Sequence, residues 1–252
     1  MATFENRMAD KQNACQMNLA VFYRISDAGN KKDKLAGAGK RKCLENALSV
    51  FGREHFFIRA DHCSDDTLQM LDEFGLKPDV SQLGNAGSWL ASARQALSDE
   101  FKDFALYFAE DDYLYLPDSG SIILDGLSRA DYVSLYDHPD KYQKGPNPFA
   151  GEQGEPCRVL PGKWCHWKTS NSTTMTFAVK QQTFKEDFAV WERHCMAGFP
   201  DDFEAFLELQ GIDSWENRIR ANKRKLITSL PAWSTHTETE WLSPIRKWTE
   251  LC

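Results

Sequence analysis

The sequence predicts an α/β fold in which helices cover both faces of a central sheet within a single domain. Short apolar runs, typical of buried strands, alternate along the chain with segments whose apolar residues recur at helical spacing. The chain has 252 residues, which is long enough for one sizeable core. Its 42% hydrophobic and 27% charged residues are ordinary for a globular protein.

The first part of the chain alternates strands and helices in a regular way. The predicted strands are rich in aromatic and β-branched residues and cover residues 18–25, 55–60, 79–83 and 104–109. The predicted helices cover residues 38–51, 65–74 and 89–101, and Ser64 and Ser88 are the expected N-cap residues of the last two. Right-handed crossovers bring the carboxyl ends of parallel strands to one edge of a sheet. Ligands of open α/β sheets bind at that edge, so we expect the site there.

The second part of the chain is less regular. Its predicted elements are helices over 118–128 and 181–195 and from Pro200 onward, with strands over 131–136, 173–180 and 226–229. Residues 137–162 hold five prolines and four glycines. A loop of this length in a compact domain is usually functional or mobile.

Composition argues against several classes of protein. The net charge is −7 and the chain has no dense basic block, so we expect no nucleic-acid partner. No apolar stretch approaches the ~18 residues that span a bilayer, and the start of the chain has no apolar signal-peptide core. The seven cysteines form no C-x-x-C pair, which favours a reducing, cytoplasmic setting.

The most informative segment is an apolar run, residues 104–109, that ends in Glu110, Asp111 and Asp112. Burying an unpaired carboxylate is costly, so acids at a strand end usually meet water, a cation or a basic partner. Such a group can bind a hard divalent cation, which suits a phosphate-bearing substrate. The alternative is a solvated acidic turn.

Three segments together resemble a known family. They are Tyr23–Asp27, Leu83–Ser88 followed by Ala93 and Arg94, and Phe108–Asp112. Their order and spacing resemble the nucleotide-sugar-dependent glycosyltransferases of the GT-A type, in particular the family-2-like enzymes. The chain departs from the family pattern because Glu-Asp-Asp stands in place of Asp-x-Asp and Gln95 replaces an asparagine.

The resemblance implies a GT-A type, Rossmann-like mixed sheet flanked by helices. Residues 1–17 would be a flexible tail and residues 18–252 the single domain. Within it, residues 18–116 would be the donor half and residues 117–252 the acceptor half. The implied partners are a nucleoside-diphosphate-sugar donor and a glycan or glycoconjugate acceptor, and the implied cofactor is Mn²⁺ or Mg²⁺.

The resemblance also assigns metal and donor residues. Asp112 would ligate the metal, and His236 would join it because imidazole is a good ligand for Mn²⁺. Asp111 would lie nearer the donor's ribose or sugar. The remaining implied donor-binding residues are Arg24, Ser26, Asp61, Asn85, Gly87, Ser88 and Arg94. The alternatives are a capping or loop role for Asp111, a plain histidine at 236 and a surface ion pair for Arg94.

On the acceptor side, the resemblance points to a carboxylate that deprotonates the acceptor hydroxyl in an inverting reaction. Asp202 is the preferred base and Asp201 the second choice, although both could simply cap a helix. A retaining reaction would need no such base. Trp164 and Trp167 are candidate acceptor contacts, since aromatic faces stack on sugar rings, but most tryptophans are core residues.

These observations predict a metal-dependent glycosyltransferase, with an inverting reaction preferred over a retaining one. One alternative is a sugar-nucleotide nucleotidyltransferase, whose basic Gly-rich loop is weakly resembled by residues 35–41. A second alternative is a catalytically silent carbohydrate-binding module of the same fold.

Overall fold

The computed structural model describes residues 17–29, 32–213, 218–219 and 223–252. Apart from Met17, the predicted tail lies outside these ranges. The helices are α1 Lys40–Phe51, α2 Asp65–Glu73, α3 Gly84–Ala96, α4 Ser119–Leu127, α5 Gln181–His194 and α6 Asp202–Gln210. The strands are β1 Leu19–Ser26, β2 Phe56–Asp61, β3 Asp79–Ser81, β4 Ala105–Glu110, β5 Tyr113–Tyr115, β6 Tyr132–Ser134, β7 Val159–Pro161, β8 His166–Thr169, β9 Phe177–Lys180, β10 Ile212–Asp213, β11 Arg218–Ile219, β12 Leu226–Leu230 and β13 Ser234–His236.

One nine-stranded mixed sheet, ordered β3-β2-β1-β4-β9-β6-β12-β8-β7, forms the centre of the molecule. β1 pairs in parallel with β2 and β4, and β2 with β3, as the alternating elements predict. β9 runs antiparallel to both of its neighbours, β4 and β6. The predicted α/β class, a mixed sheet flanked by helices, is confirmed.

The alternation of side chains along β1 explains why the sheet is covered on both faces. Ala20 and Phe22 pack with residues of α3, α5 and α6 in one buried cluster. Val21, Tyr23 and Ile25 pack with residues of α1, α2 and α4 in another. Because successive side chains of a strand point to opposite faces, a fully apolar strand needs helices on both sides.

The ends of two helices differ from expectation. Ser64 caps α2 as predicted and accepts a hydrogen bond from the Thr67 backbone N–H. Ser88, however, lies inside α3, which begins one turn earlier at Gly84, where the backbone has φ +74°. Pro200 likewise precedes α6 rather than starting it, because the Asp201 side chain is the N-cap.

The short strands of the second half were the hardest to predict. The sequence pattern does not predict β7, β8, β10, β11 and β13, nor β5 in the first half, and residues 173–176 precede β9 instead of belonging to it. β13 pairs with β5 so that His236 lies opposite Tyr113. Within the described ranges, no helix combines the length and apolarity needed to cross a bilayer. The six cysteines of these ranges are free thiols.

Candidate active site

A cavity of about 590 Å³ lies at the carboxyl ends of β1, β2 and β4, the edge that the parallel strands predict. Its walls include many of the predicted donor and metal residues, namely Arg24, Ser26, Asp61, Asn85, Ser88, Asp111, Asp112 and His236. Residues far apart in the sequence therefore meet at one place. For the residues at the ends of β1, β2 and β4, this meeting follows from the parallel order of the strands.

Asp112, His236 and Glu238 form a group with the geometry of a metal site. One ligand atom from each lies within 4.8 Å of the others. His236 Nε2 is 3.3 Å from Asp112 Oδ2 and 3.7 Å from Glu238 Oε1. The pairing of β13 with β5 brings His236 beside the acids, and the Thr237 N–H donates to the Asp112 carbonyl at 2.8 Å. Carboxylate oxygens suit both Mn²⁺ and Mg²⁺, and the imidazole nitrogen favours Mn²⁺ of the two.

Asp111 and Asp112, at the end of β4, repel each other although Lys40 Nζ lies 3.8 Å from Asp111 and Lys34 Nζ lies 3.5 Å from Asp112. Burial and the charge of Asp112 raise the pKa of Asp111 to about 7. Asp111 is held in place by the Ser26 N–H, which donates to its Oδ2 at 3.2 Å. Burial and the negative charge of Asp112 also raise the pKa of the Cys43 thiol to about 12. A divalent cation beside Asp112 would relieve this repulsion. The charges of these residues therefore fit a metal ion, and so do the ligand atoms of Asp112, His236 and Glu238.

Arg24 connects β4 to the start of α3. Its guanidinium pairs with Glu110 and donates to the Asn85 carbonyl oxygen at 2.6 Å. It also reaches Ser88 Oγ at 3.5 Å. The charge of Arg24 is thus already balanced by Glu110. Its predicted contact with a donor phosphate stays a prediction.

Asp61 holds the turn that leads into α3. Its carboxylate accepts hydrogen bonds from Ser81 Oγ at 2.8 Å and from the backbone N–H groups of Leu83 at 2.6 Å and Gly84 at 3.1 Å. His62 Nδ1 lies 2.8 Å from the same carboxylate. Asp61 is only 2% exposed, so protein groups fill most of its hydrogen-bonding capacity. Its predicted donor contact stays a prediction.

A second cavity, of about 250 Å³, contains Asp202 and is lined by polar side chains from the loop after β6 and from residues 172–174. Burial and the negative charge of Glu110 raise the pKa of Asp202 to about 7. Asp201 is used differently, because its side chain accepts a hydrogen bond from the Glu204 N–H at 3.2 Å as the N-cap of α6. Of the two acids, only Asp202 lines the second cavity.

Some predicted site residues lie elsewhere. Trp167 is fully buried and its Nε1 donates to Asp125 Oδ2 at 3.1 Å, which corrects its assignment to an acceptor surface. Arg94 pairs with Glu192 at 2.8 Å on the surface, which corrects its assignment to the donor site. Gly87, on α3, and the exposed Trp164 line neither of the two cavities.

Sequence reasoning missed several residues that line the first cavity. Glu238 stands two positions after His236, and this His-x-Glu spacing near the end of the chain was the available signal. The missed basic residues are Lys32, Lys34 and Lys40. They belong to the lysine-rich segment that follows β1. Its composition shows that the segment is basic but does not indicate that these side chains point into the cavity.

Comparisons with known proteins give similar structures only. No protein-family model matches the chain, and no curated protein matches it. It is similar to the inositol-1-phosphate CTP transferase from T. maritima, with 15% identity over 93% of this chain and 94% of that one and a TM-score of 0.47. It is similar to the mannose-1-phosphate geranyltransferase from Thermus thermophilus, with 14% identity over 84% and 74% of the two chains and a TM-score of 0.46. It is also similar to residues 1–349 of S. aureus TarS, with 13% identity over 86% and 60% of the two chains and a TM-score of 0.46.

Proposed function

We propose that the protein is a metal-dependent glycosyltransferase that moves a sugar from a nucleoside-diphosphate-sugar to an acceptor hydroxyl, with inversion. One observation carries the proposal. The Asp112, His236 and Glu238 group lies in one cavity, and Asp202, an acid whose pKa is raised to about 7, lies in a second cavity. Glu110 links the two cavities, because it lines the first and its charge acts on Asp202. Neighbouring sites of this kind suit a reaction with a charged leaving group on one side and a proton to remove on the other.

In this proposal the first cavity holds the donor. Asp112, His236 and Glu238 would hold Mn²⁺ or Mg²⁺, which offsets the negative charge that develops on a departing diphosphate. Asn85 and Ser88 lie in the first turns of α3, whose N-terminus is favourable for anionic groups. Asp111 lies beside Asp112 and faces the same space.

The second cavity would hold the acceptor. The Lys141 ammonium is buried and already satisfied, since it donates to Asn171 Oδ1 at 2.6 Å and Ser172 Oγ at 2.8 Å and pairs with Glu155 at 3.3 Å. The rest of the lining offers hydroxyl and amide groups, among them Asn147 and Thr174, together with His138, Asp140 and Asp202. Groups of this kind bind the hydroxyls of a glycan. Asp202 would accept the proton of the hydroxyl that attacks the anomeric carbon.

A second candidate is nucleotidyl transfer, in which a nucleoside triphosphate reacts with a sugar phosphate and pyrophosphate leaves. The observation that favours it is the presence of Lys32, Lys34 and Lys40 in the cavity beside the metal group. A triphosphate carries more negative charge than a diphosphate, and these three ammonium groups would help to balance it. Both candidates use the same metal group, and they differ in the leaving group.

The test has two stages. A thermal-shift screen of UDP, GDP, CDP and dTDP, their sugars and the matching triphosphates, each with and without Mn²⁺, identifies the nucleotide, because a ligand stabilises the state it binds. The protein is then incubated with the identified nucleotide and a panel of glycans and sugar phosphates. Release of nucleoside diphosphate supports glycosyl transfer, and release of pyrophosphate supports nucleotidyl transfer. A screen without any metal-dependent shift contradicts both and favours a silent carbohydrate-binding module.

A further inference from the structure

Two lysines of the segment between β1 and α1 contact the carboxylates of the metal group. Lys34 Nζ is 3.5 Å from Asp112 Oδ2, and Lys32 Nζ is 2.5 Å from Glu238 Oε1. Both carboxylate members of the group therefore have an ammonium partner. The Lys32 side chain is 52% exposed and that of Lys34 is 31% exposed, so both have room to move.

The backbone that carries these lysines is fixed beside the metal group. Lys34 forms an isolated β-bridge with Glu238. The Leu35 N–H donates to the Thr237 carbonyl at 2.7 Å, and the Thr239 N–H donates to the Asp33 carbonyl at 3.0 Å. These contacts hold the backbone from Asp33 to Leu35 next to the segment that contains Glu238, and Lys32 directly precedes them, so a change of partners by the two lysines needs only their side chains to move.

A divalent cation and an ammonium group compete for the same carboxylate oxygens. When Asp112 and Glu238 turn to a cation, the ammonium groups of Lys34 and Lys32 lose their partners inside the cavity. Unpaired positive charge there attracts the nearest anion, and Lys binds phosphate well as a point charge. Arg24 is less available for this role because Glu110 already pairs with it.

We propose that Lys32 and Lys34 are a phosphate-binding pair that exchanges the metal-site carboxylates for the phosphate oxygens of a diphosphate group. Without metal they occupy Glu238 and Asp112, and with metal they bind the diphosphate. Lys40 has a different role, because it is anchored on Asp27 and on the Ser26 carbonyl at 2.5 Å and holds the start of the segment. The inference rests on the proposed function only in placing a diphosphate in this cavity.

The exchange gives the lysines opposite effects on two ligands, which a structural role would not. In a Lys32→Met/Lys34→Met variant, Mn²⁺ alone should bind more tightly by roughly fivefold, because two repelling charges near the ion are gone. Inorganic pyrophosphate in the presence of saturating Mn²⁺ should bind more weakly by about tenfold or more, because its positive partners are gone. Both affinities are measured by isothermal titration calorimetry on the full chain.

Two further variants serve as controls. Lys77→Met removes one positive charge from an exposed residue that precedes the amino end of β3, whereas the cavity lies at the carboxyl ends of the strands, and it should leave both affinities unchanged. Lys34→Arg keeps the charge and should retain most of the pyrophosphate affinity. Weaker binding of Mn²⁺ alone in the double variant, or unchanged binding of pyrophosphate, would overturn the proposal.

These outcomes are independent of the transfer reaction. If glycosyl transfer is absent but the opposite shifts occur, the phosphate-binding pair stands and only the proposed reaction is wrong. If transfer occurs and the double variant shows neither shift, the pair is wrong and the proposed reaction stands.

Discussion

The pH dependence of turnover tests the role of Asp202. A general base must be ionised, and burial with the charge of Glu110 raises the pKa of Asp202 to about 7. Activity should therefore fall as the pH drops through about 7. With a pKa near 7, roughly one-tenth of the base is ionised at about pH 6 and roughly nine-tenths at about pH 8. Turnover should rise about tenfold between these two values.

The assay is release of nucleoside diphosphate from the donor identified by the thermal-shift screen, measured at saturating donor and Mn²⁺ across this pH range. Asp202→Asn should lower turnover by about 10² or more and remove the rise. Glu110→Gln removes a negative charge that raises the pKa of Asp202, so the midpoint of the profile should move to lower pH.

Asp201→Asn is the matched control because the adjacent acid caps α6 and does not line the second cavity. Asparagine is also a good N-cap residue, so this variant should keep both stability and the pH profile. A profile that is flat between these pH values in the unaltered protein would refute the base role of Asp202. An Asp202→Asn variant with near-normal turnover would do the same.

Three other outcomes can be measured directly. Glu238→Gln should weaken Mn²⁺ binding about tenfold or more in calorimetry, since the charge of the ligand set governs affinity for such ions; unchanged affinity would remove Glu238 from the metal group. Trp167→Ala should lower the free energy of unfolding by about 3–5 kcal/mol in urea titrations, whereas the exposed Trp164→Ala should change it by less than about 0.5 kcal/mol. Equal losses would mean that Trp167 is not a core residue. Ser64→Ala should cost about 1 kcal/mol as α2 loses its cap, and a loss below about 0.3 kcal/mol would argue against that cap.

Much of the fold follows from local patterns. The apolar run of β1, the helical spacing of α1 and the Ser64 cap of α2 depend on residues close together in the sequence, and each element lies where the sequence indicates. The start of α3 was misplaced because Asp61, a distant residue, accepts the N–H groups of Leu83 and Gly84 and so moves the start of the helix upstream of Ser88.

The candidate site could be predicted where its residues follow the ends of parallel strands. Ser26 and Asp111 meet at one edge because β1 and β4 are neighbours in the sheet. The sequence analysis assigns Arg94 and Trp167 to the site from their residue type and their place in the sequence. Their partners depend instead on the direction in which each side chain points. Arg94 points to Glu192 on the surface, and Trp167 points into the core beneath α4.

By itself, the sequence determined the class of fold and the edge of the sheet where its acids gather. It did so because hydrophobic periodicity is set over short stretches of chain, and strands that alternate with helices are expected to run parallel with their carboxyl ends at one edge. Only the tertiary structure brought Glu238 to Asp112 and placed Lys32 and Lys34 on the same carboxylates. These contacts depend on the pairing of β13 with β5 and on the bridge at Lys34, and such long-range pairings are decided by the packing of the whole chain.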